Sequence, residues 1–267
     1  MSKQTIGIIG LGNMAGAIIK GLREGRGFQD ADLIAFDRHP EKQQDYALRY
    51  AVRQAKDACE VVRESEAFIL AIKPQGMEEL LEKIKPCLKD GQLVISLAAG
   101  KSLQFFSDRL SPGQPLVRAL PNINAKAGAS MTALCQNEFV SASQAELAIS
   151  IFDAVGSVTL LPESKLAAFA SITGCGPAFA YLFIDALATA GVRAGLPRPL
   201  AQQAACGMLL GSAKLAAEAG EHPRALIDQV TSPGGTTIEG MHKLAELGFE
   251  HAVHEAIAAV IAKEKNL

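Results

Sequence analysis

The chain has 267 residues, 49% hydrophobic and 20% charged, a composition that supports a buried core and excludes a chain left disordered for want of apolar surface. Its 26 basic and 28 acidic residues give a net charge of -2, so no surplus of positive charge is available to bind a phosphate backbone, and nucleic acid is not an expected partner. The cysteines Cys59, Cys87, Cys135, Cys175 and Cys206 are an odd number, widely separated, with no CxxC pair, which predicts buried free thiols in a reducing compartment and no metal site.

The opening MSKQTIGIIGLG has one lysine and then turns to glycine with no apolar h-region, the expected start of a cytoplasmic protein. The run Thr5 to Ile9 predicts a strand, and Met14, Ile18 and Leu22 recur at helical spacing after it. Between the two lies Gly10-Leu11-Gly12-Asn13-Met14-Ala15, a GxGxxA sequence in the strand-to-helix context that a dinucleotide site requires. Gly10 permits the tight turn, Gly12 lets a pyrophosphate approach the backbone, and Ala15 lets helix and strand close up, while the helix N-terminus offers N–H groups to the anion. This predicts bound NAD or NADP; the alternative is a glycine turn without ligand. The next strand, LIAF, ends at Phe36 before Asp37 and Arg38, where the adenosine ribose is read. An acid there accepts from a 2′-hydroxyl and repels a 2′-phosphate, whereas Arg38 can bind that phosphate, which tilts the expectation toward NADP unless Arg38 lies along the adenine or in solvent.

Further apolar runs, AFILAI, LVISLA, PLVRAL and SVTLL, alternate with helical periods such as Met77, Leu80, Leu81 and Ile84. Their near-continuous hydrophobicity predicts strands covered on both faces, hence an α/β fold with a doubly wound, mostly parallel sheet over residues 1–161. AFILAIK ends in Lys73 and Pro74, and LVISLAAG in Ala98, Ala99 and Gly100, at the sheet edge where ligands of such folds bind. Lys73 either touches the nicotinamide ribose or is a solvated strand-end lysine. Arg118, Pro121 and Asn122 follow another strand, and the Asn122 amide is placed to orient nicotinamide or substrate.

After Pro162 the strand signal disappears, and residues 162–267 read as helices near Glu163 to Ser171, Pro177 to Ala194, Pro199 to Ala219, Gly235 to Leu247 and Glu250 to Ala262. Ala178 to Val192 is the longest apolar stretch, interrupted by Asp185 and short of the ~20 residues of a membrane span, so no membrane partner is expected. The helices are rich in Ala and Gly, and about a hundred residues of this kind would be marginal alone. They predict packing against a second copy in a large homodimer interface. SITGCGPAF (171–179) and VTSPGGTTIEG (230–240) each combine hydroxyls and glycines before a helix. In the second, Ser232, Gly234, Gly235, Thr236 and Thr237 bring hydroxyl and N–H donors to a helix start, a site for a carboxylate or phosphate, or else an elaborate N-cap.

Six segments, IGIIGLGNMAGAI, AIKPQ, SLAAG, RALPN, GPAFAYLFIDALATAGVRAGLPR and VTSPGGTTIEG, stand in the order and approximate spacing of the pyrroline-5-carboxylate reductase family, and the chain resembles that family over nearly its whole length. The resemblance implies a Rossmann domain, an all-α dimerisation domain forming a homodimer or a higher homo-oligomer, and reduction of 1-pyrroline-5-carboxylate to L-proline with NADPH or NADH. It implies that Gly10, Gly12, Asn13 and Met14 hold the pyrophosphate and that Lys73, Pro74 and Ala98 line the nicotinamide side. Asn122, Gly176, Pro177, Ser232, Gly234, Gly235, Thr236 and Thr237 would form the pocket for the cyclic imino acid. The chain departs from the family's PNTP at Ile123 and Asn124 and from its SGSGPA at Thr173 and Cys175, changes that bear on substrate affinity more than on reaction type.

Reducing a protonated C=N bond is undemanding once hydride donor and acceptor are aligned, so no catalytic His or Cys is required. None of His39, His222, His242, His251 and His254 is assigned a proton role. Thr237 is the expected catalytic group, hydrogen-bonded near the imine nitrogen, with the Ser232 to Thr236 loop on the carboxylate. The competing readings are a β-hydroxyacid dehydrogenase, which needs a lysine that GCGPAFAYLF does not supply, and a non-enzymatic dinucleotide sensor, against which the intact SPGGTT argues.

Overall fold

The structure, a computed structural model, describes residues 4–25 and 28–264. It divides into two compact units, the first ending at Gly174 and the second beginning at Cys175.

The first unit is built on strands β1 (Thr5–Ile9), β2 (Asp32–Phe36), β3 (Arg53–Gln54), β4 (Ala67–Leu70), β5 (Leu93–Ser96), β6 (Leu116–Leu120), β7 (Ser130–Gln136) and β8 (Gly156–Leu160). They form one sheet in the order β3-β2-β1-β4-β5-β6-β7-β8, with every pair parallel except β6 and β7. Around it run α1 (Asn13–Glu24), α2 (Pro40–Tyr50), α3 (Ala58–Glu64), α4 (Met77–Ile84), α5 (Leu103–Ser107), α6 (Ala142–Asp153) and α7 (Glu163–Thr173). The two-residue period of the strands splits their side chains between two cores. Ile6, Ile8, Ala67 and Ile69 join Ile18 and Leu22 of α1 and Ile151 and Phe152 of α6 on one face. Ile9, Phe68 and Leu70 meet Val61 of α3, Leu81 and Ile84 of α4 and Phe106 of α5 on the other. Burial on both faces explains the near-continuous apolar runs and makes the sheet doubly wound, as expected.

Two strands and one helix depart from the expectation. β7 was not marked by its sequence because it alternates Ser130, Thr132 and Leu134 with other residues, and its polar members are buried: Ser130 and Thr132 hydroxyls lie 3.1 Å apart. β3 has two exposed residues and no apolar signal. In the second unit, α8 (Gly176–Arg193), α9 (Arg198–Glu218), α11 (Thr236–Glu246) and α12 (Phe249–Glu264) match the expected segments, and α10 (Pro223–Val230) is additional, opened by the His222 side chain accepting from the Arg224 N–H at 3.2 Å.

By contacts, α7 goes with the sheet. Leu166 is buried against Ala133 and Cys135, and a Glu163 carboxylate oxygen accepts from the Leu103 N–H at 2.7 Å and pairs with Arg118. The division therefore falls after Gly174, later than the change of pattern at Leu161 to Glu163. Glu163–Arg193, helices α7 and α8 together, is long and apolar enough by length and composition alone to cross a membrane, a test that core helices also pass, and it is a longer stretch than the Ala178 to Val192 run read from the sequence. The run is two helices of 11 and 18 residues separated at Gly174 and Cys175, each short of the ~20 residues a span needs.

The expectation of five free thiols is corrected at one pair. Cys59 of α3 and Cys87, just beyond α4, form a disulfide, because the two helices pack on one sheet face and bring the Cα atoms to 5.6 Å across 28 residues of sequence. Cys135, Cys175 and Cys206 are free, and only Cys135 is fully buried. Burial first, and then the neighbouring Glu163 charge, push the Cys135 thiol upward in pKa, so it stays neutral.

Among the described residues of the second unit, only Ala188, Ala201 and Ala205 are buried. Leu182, Leu210 and Leu247 are 70%, 74% and 74% exposed. A helical body with so little interior of its own presents its apolar surface outward, as the Ala- and Gly-rich sequence predicts.

Candidate active site

Parallel order fixes where the site residues expected in the first unit lie. β2, β1, β4, β5 and β6 run in one direction, so Asp37 and Arg38, Gly10, Lys73, Ala98 and Asn122 all follow their carboxyl ends along one sheet edge. β1 and β4 are adjacent while the chain crosses from β3 to β4, which makes their boundary the switch point where such sheets open a crevice. Residues spread over more than a hundred positions of sequence are thereby gathered on one rim.

The turn after β1 has the geometry of an anion cradle. Gly10 has φ +97°, and a Cβ there would stand 2.8 Å from the Ala71 carbonyl oxygen and from the Ile72 side chain, so only glycine fits. Its N–H donates to Phe36 O at 2.8 Å, tying the turn to β2. Gly12 is different: a Cβ built on it meets nothing within 4 Å, so the space above it is open. Gly12 is also the N-cap of α1, with no side-chain cap and no acid in the first turn. The N–H groups that open α1, beginning with Asn13 and Met14, thus have no internal carboxylate or hydroxyl to satisfy them, and the positive end of the helix faces open space. These residues fit a dinucleotide pyrophosphate. Asn13 is exposed, whereas Met14 is half-buried against the core and contributes through its backbone.

The remaining rim residues divide by environment. Arg38 is exposed with its Nε 3.2 Å from His39 Nε2, so it stands at the surface beyond β2 and is not folded back on the sheet. Lys73 is exposed and caps a short 3-10 turn at Pro74–Gly76 through its backbone. Ala98 is buried, and its N–H donates to Ser96 Oγ at 3.2 Å. Asn122 is buried too, and its carboxamide oxygen is committed to the Asn124 N–H at 3.0 Å while its own N–H donates to Ser130 Oγ at 3.1 Å. What Asn122 can offer a ligand is its NH₂.

In the second unit, Gly176 and Pro177 open α8 with proline in the first turn and no side-chain cap. Ser232 to Gly235 form a tight turn, with the Gly235 N–H donating to Ser232 O at 3.0 Å and Gly234 at φ +67°. Thr236 and Thr237 begin α11, again without a side-chain cap, and both are exposed. The elaborate N-cap that the sequence allowed is absent, which leaves the hydroxyls and helix N–H groups presented outward. Glu239 lies in the same first turn and opposes a bound anion. A cleft of about 370 Å³ between α8 and α9, lined by Tyr181, Asp185, Arg198 and Cys206 among others, contains none of the cofactor- or substrate-binding residues expected from the sequence. Among the described residues no group of three or more His, Cys, Asp and Glu side chains is placed to hold a metal.

Sequence reading missed two polar arrangements behind this rim. One is the Arg118–Glu163 pair, which joins β6, α7 and the start of α5; the other is the inward turn of the Asp37 carboxylate onto the Leu11 N–H. Their partners lie 45 and 26 residues apart, beyond any local motif.

Comparison with known proteins agrees with this architecture. A family model described as pyrroline-5-carboxylate reductase dimerisation matches residues 163–267, and one described as NADP oxidoreductase, coenzyme F420-dependent, matches residues 5–100. The pyrroline-5-carboxylate reductase of Synechocystis sp. is 40% identical over 265 residues, 98% of this chain and 97% of the relative. The solved 1-pyrroline-5-carboxylate reductase of Streptococcus pyogenes matches with a TM-score of 0.89 and 36% identity over 100% of both chains. Plasmodium falciparum pyrroline carboxylate reductase, solved with NADP bound, matches with a TM-score of 0.88 and 25% identity over 100% of this chain and 98% of that one. With an uncapped glycine turn at the switch point of its sheet and relatives similar from end to end, the chain belongs to the pyrroline-5-carboxylate reductase family.

Proposed function

We propose that the chain reduces 1-pyrroline-5-carboxylate to L-proline, the last step of proline biosynthesis, using NADPH, with NADH as the alternative donor. The observation that carries this is the open space over Gly12 beside an uncapped α1, in a chain of this family. When bound, a reduced nicotinamide supplies the hydride. The carbon of the protonated imine accepts it with its electron pair, the C=N π electrons become the nitrogen lone pair, and that lone pair takes a proton from water to give the charged product amine. What the chain must do is align and hold. Gly10, Gly12, Asn13 and Met14 hold the pyrophosphate, Arg38 the 2′-phosphate, and Lys73, Pro74 and Ala98 the nicotinamide side. Asn122, Gly176, Pro177, Ser232, Gly234, Gly235 and Thr236 hold the cyclic imino acid, and Thr237 hydrogen-bonds near its nitrogen.

We further place the protein in the cytoplasm as a homodimer joined through its helical unit, whose exposed leucines supply the apolar surface. The hydroxyacid dehydrogenase reading has no support in the helical unit, since α8 has no lysine. The test is steady-state oxidation of NADPH and of NADH by the purified protein with and without the cyclic imine. Oxidation only with the imine is expected; a protein that binds cofactor and turns over no cyclic imine would refute the proposal.

A further inference from the structure

Asp37 follows β2, at the position from which an acid in dinucleotide-binding folds accepts hydrogen bonds from the adenosine ribose. Here the carboxylate faces inward. Its Oδ2 accepts from the Leu11 N–H at 2.7 Å, and its Oδ1 accepts from the His39 N–H at 3.0 Å. The residue is 9% exposed, and its charge is offset by Lys42, whose Nζ lies 3.8 Å from Oδ2. Its own carbonyl accepts from Gln43 Nε2 at 2.9 Å, which holds the loop in place.

Leu11 is the middle residue of the Gly10 to Gly12 turn and is itself buried, so its N–H has no access to water. Without a partner it would be a buried orphan donor, which folded chains avoid. A charged acceptor at 2.7 Å satisfies it and fixes the plane of the Gly10–Leu11 peptide, and that plane sets where Gly12 and the first N–H groups of α1 point. Each carboxylate oxygen already accepts a backbone N–H, and the buried carboxylate faces the turn before any ribose arrives. Arg38 and His39, which follow it, are exposed at the surface.

We infer that Asp37 is a positioning residue that braces the pyrophosphate turn through the Leu11 N–H and does not read the ribose, leaving discrimination between phosphorylated and unphosphorylated cofactor to Arg38 and His39. The inference rests on the cofactor use proposed above.

Two variants of the full-length protein test it. Asp37→Ala removes the acceptor; Asp37→Asn removes the charge and keeps an oxygen facing Leu11. Dissociation constants for NADPH and NADH come from the fluorescence of the reduced nicotinamide, and KM and kcat from turnover of the cyclic imine. Asp37→Ala is expected to weaken both cofactors by the same factor, about tenfold or more for a lost charge-assisted bond, with kcat at saturating cofactor retained. Asp37→Asn is expected to recover most of that loss for both. A tenfold or larger change in the NADPH to NADH ratio in either variant, or unchanged binding of both in Asp37→Ala, overturns the inference. If Asp37→Ala does not fold, the ratio in Asp37→Asn decides alone. If the wild type binds both cofactors and reduces no imine, the proposed reaction falls while the binding ratios still judge Asp37; if it binds neither, both fall.

Discussion

Gly10 and Gly12 stand two residues apart in one turn, and the structure assigns them opposite consequences on substitution. At Gly10 an added methyl must enter a left-handed backbone at φ +97° and meet the Ala71 carbonyl oxygen and Ile72 side chain at 2.8 Å. The carbonyl belongs to backbone whose Ala71 N–H donates to Ile9 O at 2.8 Å in the continuation of β4, so relieving the clash requires shifting main chain and not the end of a flexible side chain. Left-handed strain of about 1–2 kcal/mol and overpacking of about 1–3 kcal/mol combine to a loss of roughly 2–5 kcal/mol for Gly10→Ala. Gly12 has φ -84°, ψ -176° and open space, so any residue fits. Gly12→Val trades a poorer N-cap against a less flexible unfolded chain, two effects of about 1 kcal/mol or less and opposite sign, and stability should change by less than about 1 kcal/mol. The same side chain fills the approach to the α1 N-terminus. Losing two charge-assisted phosphate contacts at about 1.5–3 kcal/mol each weakens cofactor binding at least about a hundredfold. Urea unfolding and fluorescence titration with NADPH on both variants separate the two roles. A Gly12→Val protein that is destabilised like Gly10→Ala, or that binds NADPH normally, would refute the assignment of the open space to the pyrophosphate.

Other perturbations have outcomes of similar sharpness. Arg38→Ala should raise the KM for NADPH more than for NADH, by about 1.5–3 kcal/mol if the guanidinium meets the 2′-phosphate; equal effects on both cofactors would remove that role. Thr237→Ala should cost about 0.5–1.5 kcal/mol in kcat/KM for the cyclic imine against a neutral acceptor, or about 1.5–3 kcal/mol against a charged one, with NADPH affinity unchanged; a change in NADPH affinity alone would place Thr237 elsewhere. Glu163→Gln leaves the Arg118 side chain, 9% exposed, without its counterion, but the carboxylate end is 36% exposed and water compensates in part, so about 1–3 kcal/mol of stability should be lost in urea unfolding. Reducing the Cys59–Cys87 disulfide frees a 28-residue separation and should lower stability by up to about 3–4 kcal/mol, with Cys59→Ser showing the lower value in both redox states; thermal unfolding insensitive to dithiothreitol would mean that both thiols are free in solution.

What could be read from the sequence was what local physics determines. β1, β2, β4, β5 and β6 announced themselves because a strand buried on both faces needs an uninterrupted apolar run, and the glycine turn did so because φ +97° at Gly10 and an uncapped helix start are properties of a few consecutive residues. β7 was silent because its hydroxyls satisfy one another in the interior, and α10 because eight residues span only about two turns, too few for an apolar period to show. The same limit applied at the site. Asp37 reads as a ribose acceptor if only its position after β2 is considered, but its carboxylate is claimed by an N–H 26 residues earlier. Arg118 reads as part of a strand-end motif, but its partner Glu163 opens α7 where the sequence changes to helix, 45 residues away.

The helical unit carries the argument one step further. Its segments other than α10 were legible as helices although three small alanines are its only buried residues among those described, so the residues that marked them lie on surface that remains exposed in the single chain. Apolar periodicity reports which face a helix will bury, not what buries it. Leu182, Leu210 and Leu247 are each at least 70% exposed, and covering such side chains is worth about 1.5–3 kcal/mol apiece. If the helical unit associates as proposed, the stability of the turn at Ser232 to Gly235 and of the α11 start at Thr237 should vary with protomer concentration. Substitutions on the exposed faces of α8 and α9 should then lower turnover of the cyclic imine more at low than at high protein concentration, and a loss independent of concentration would refute the proposed association.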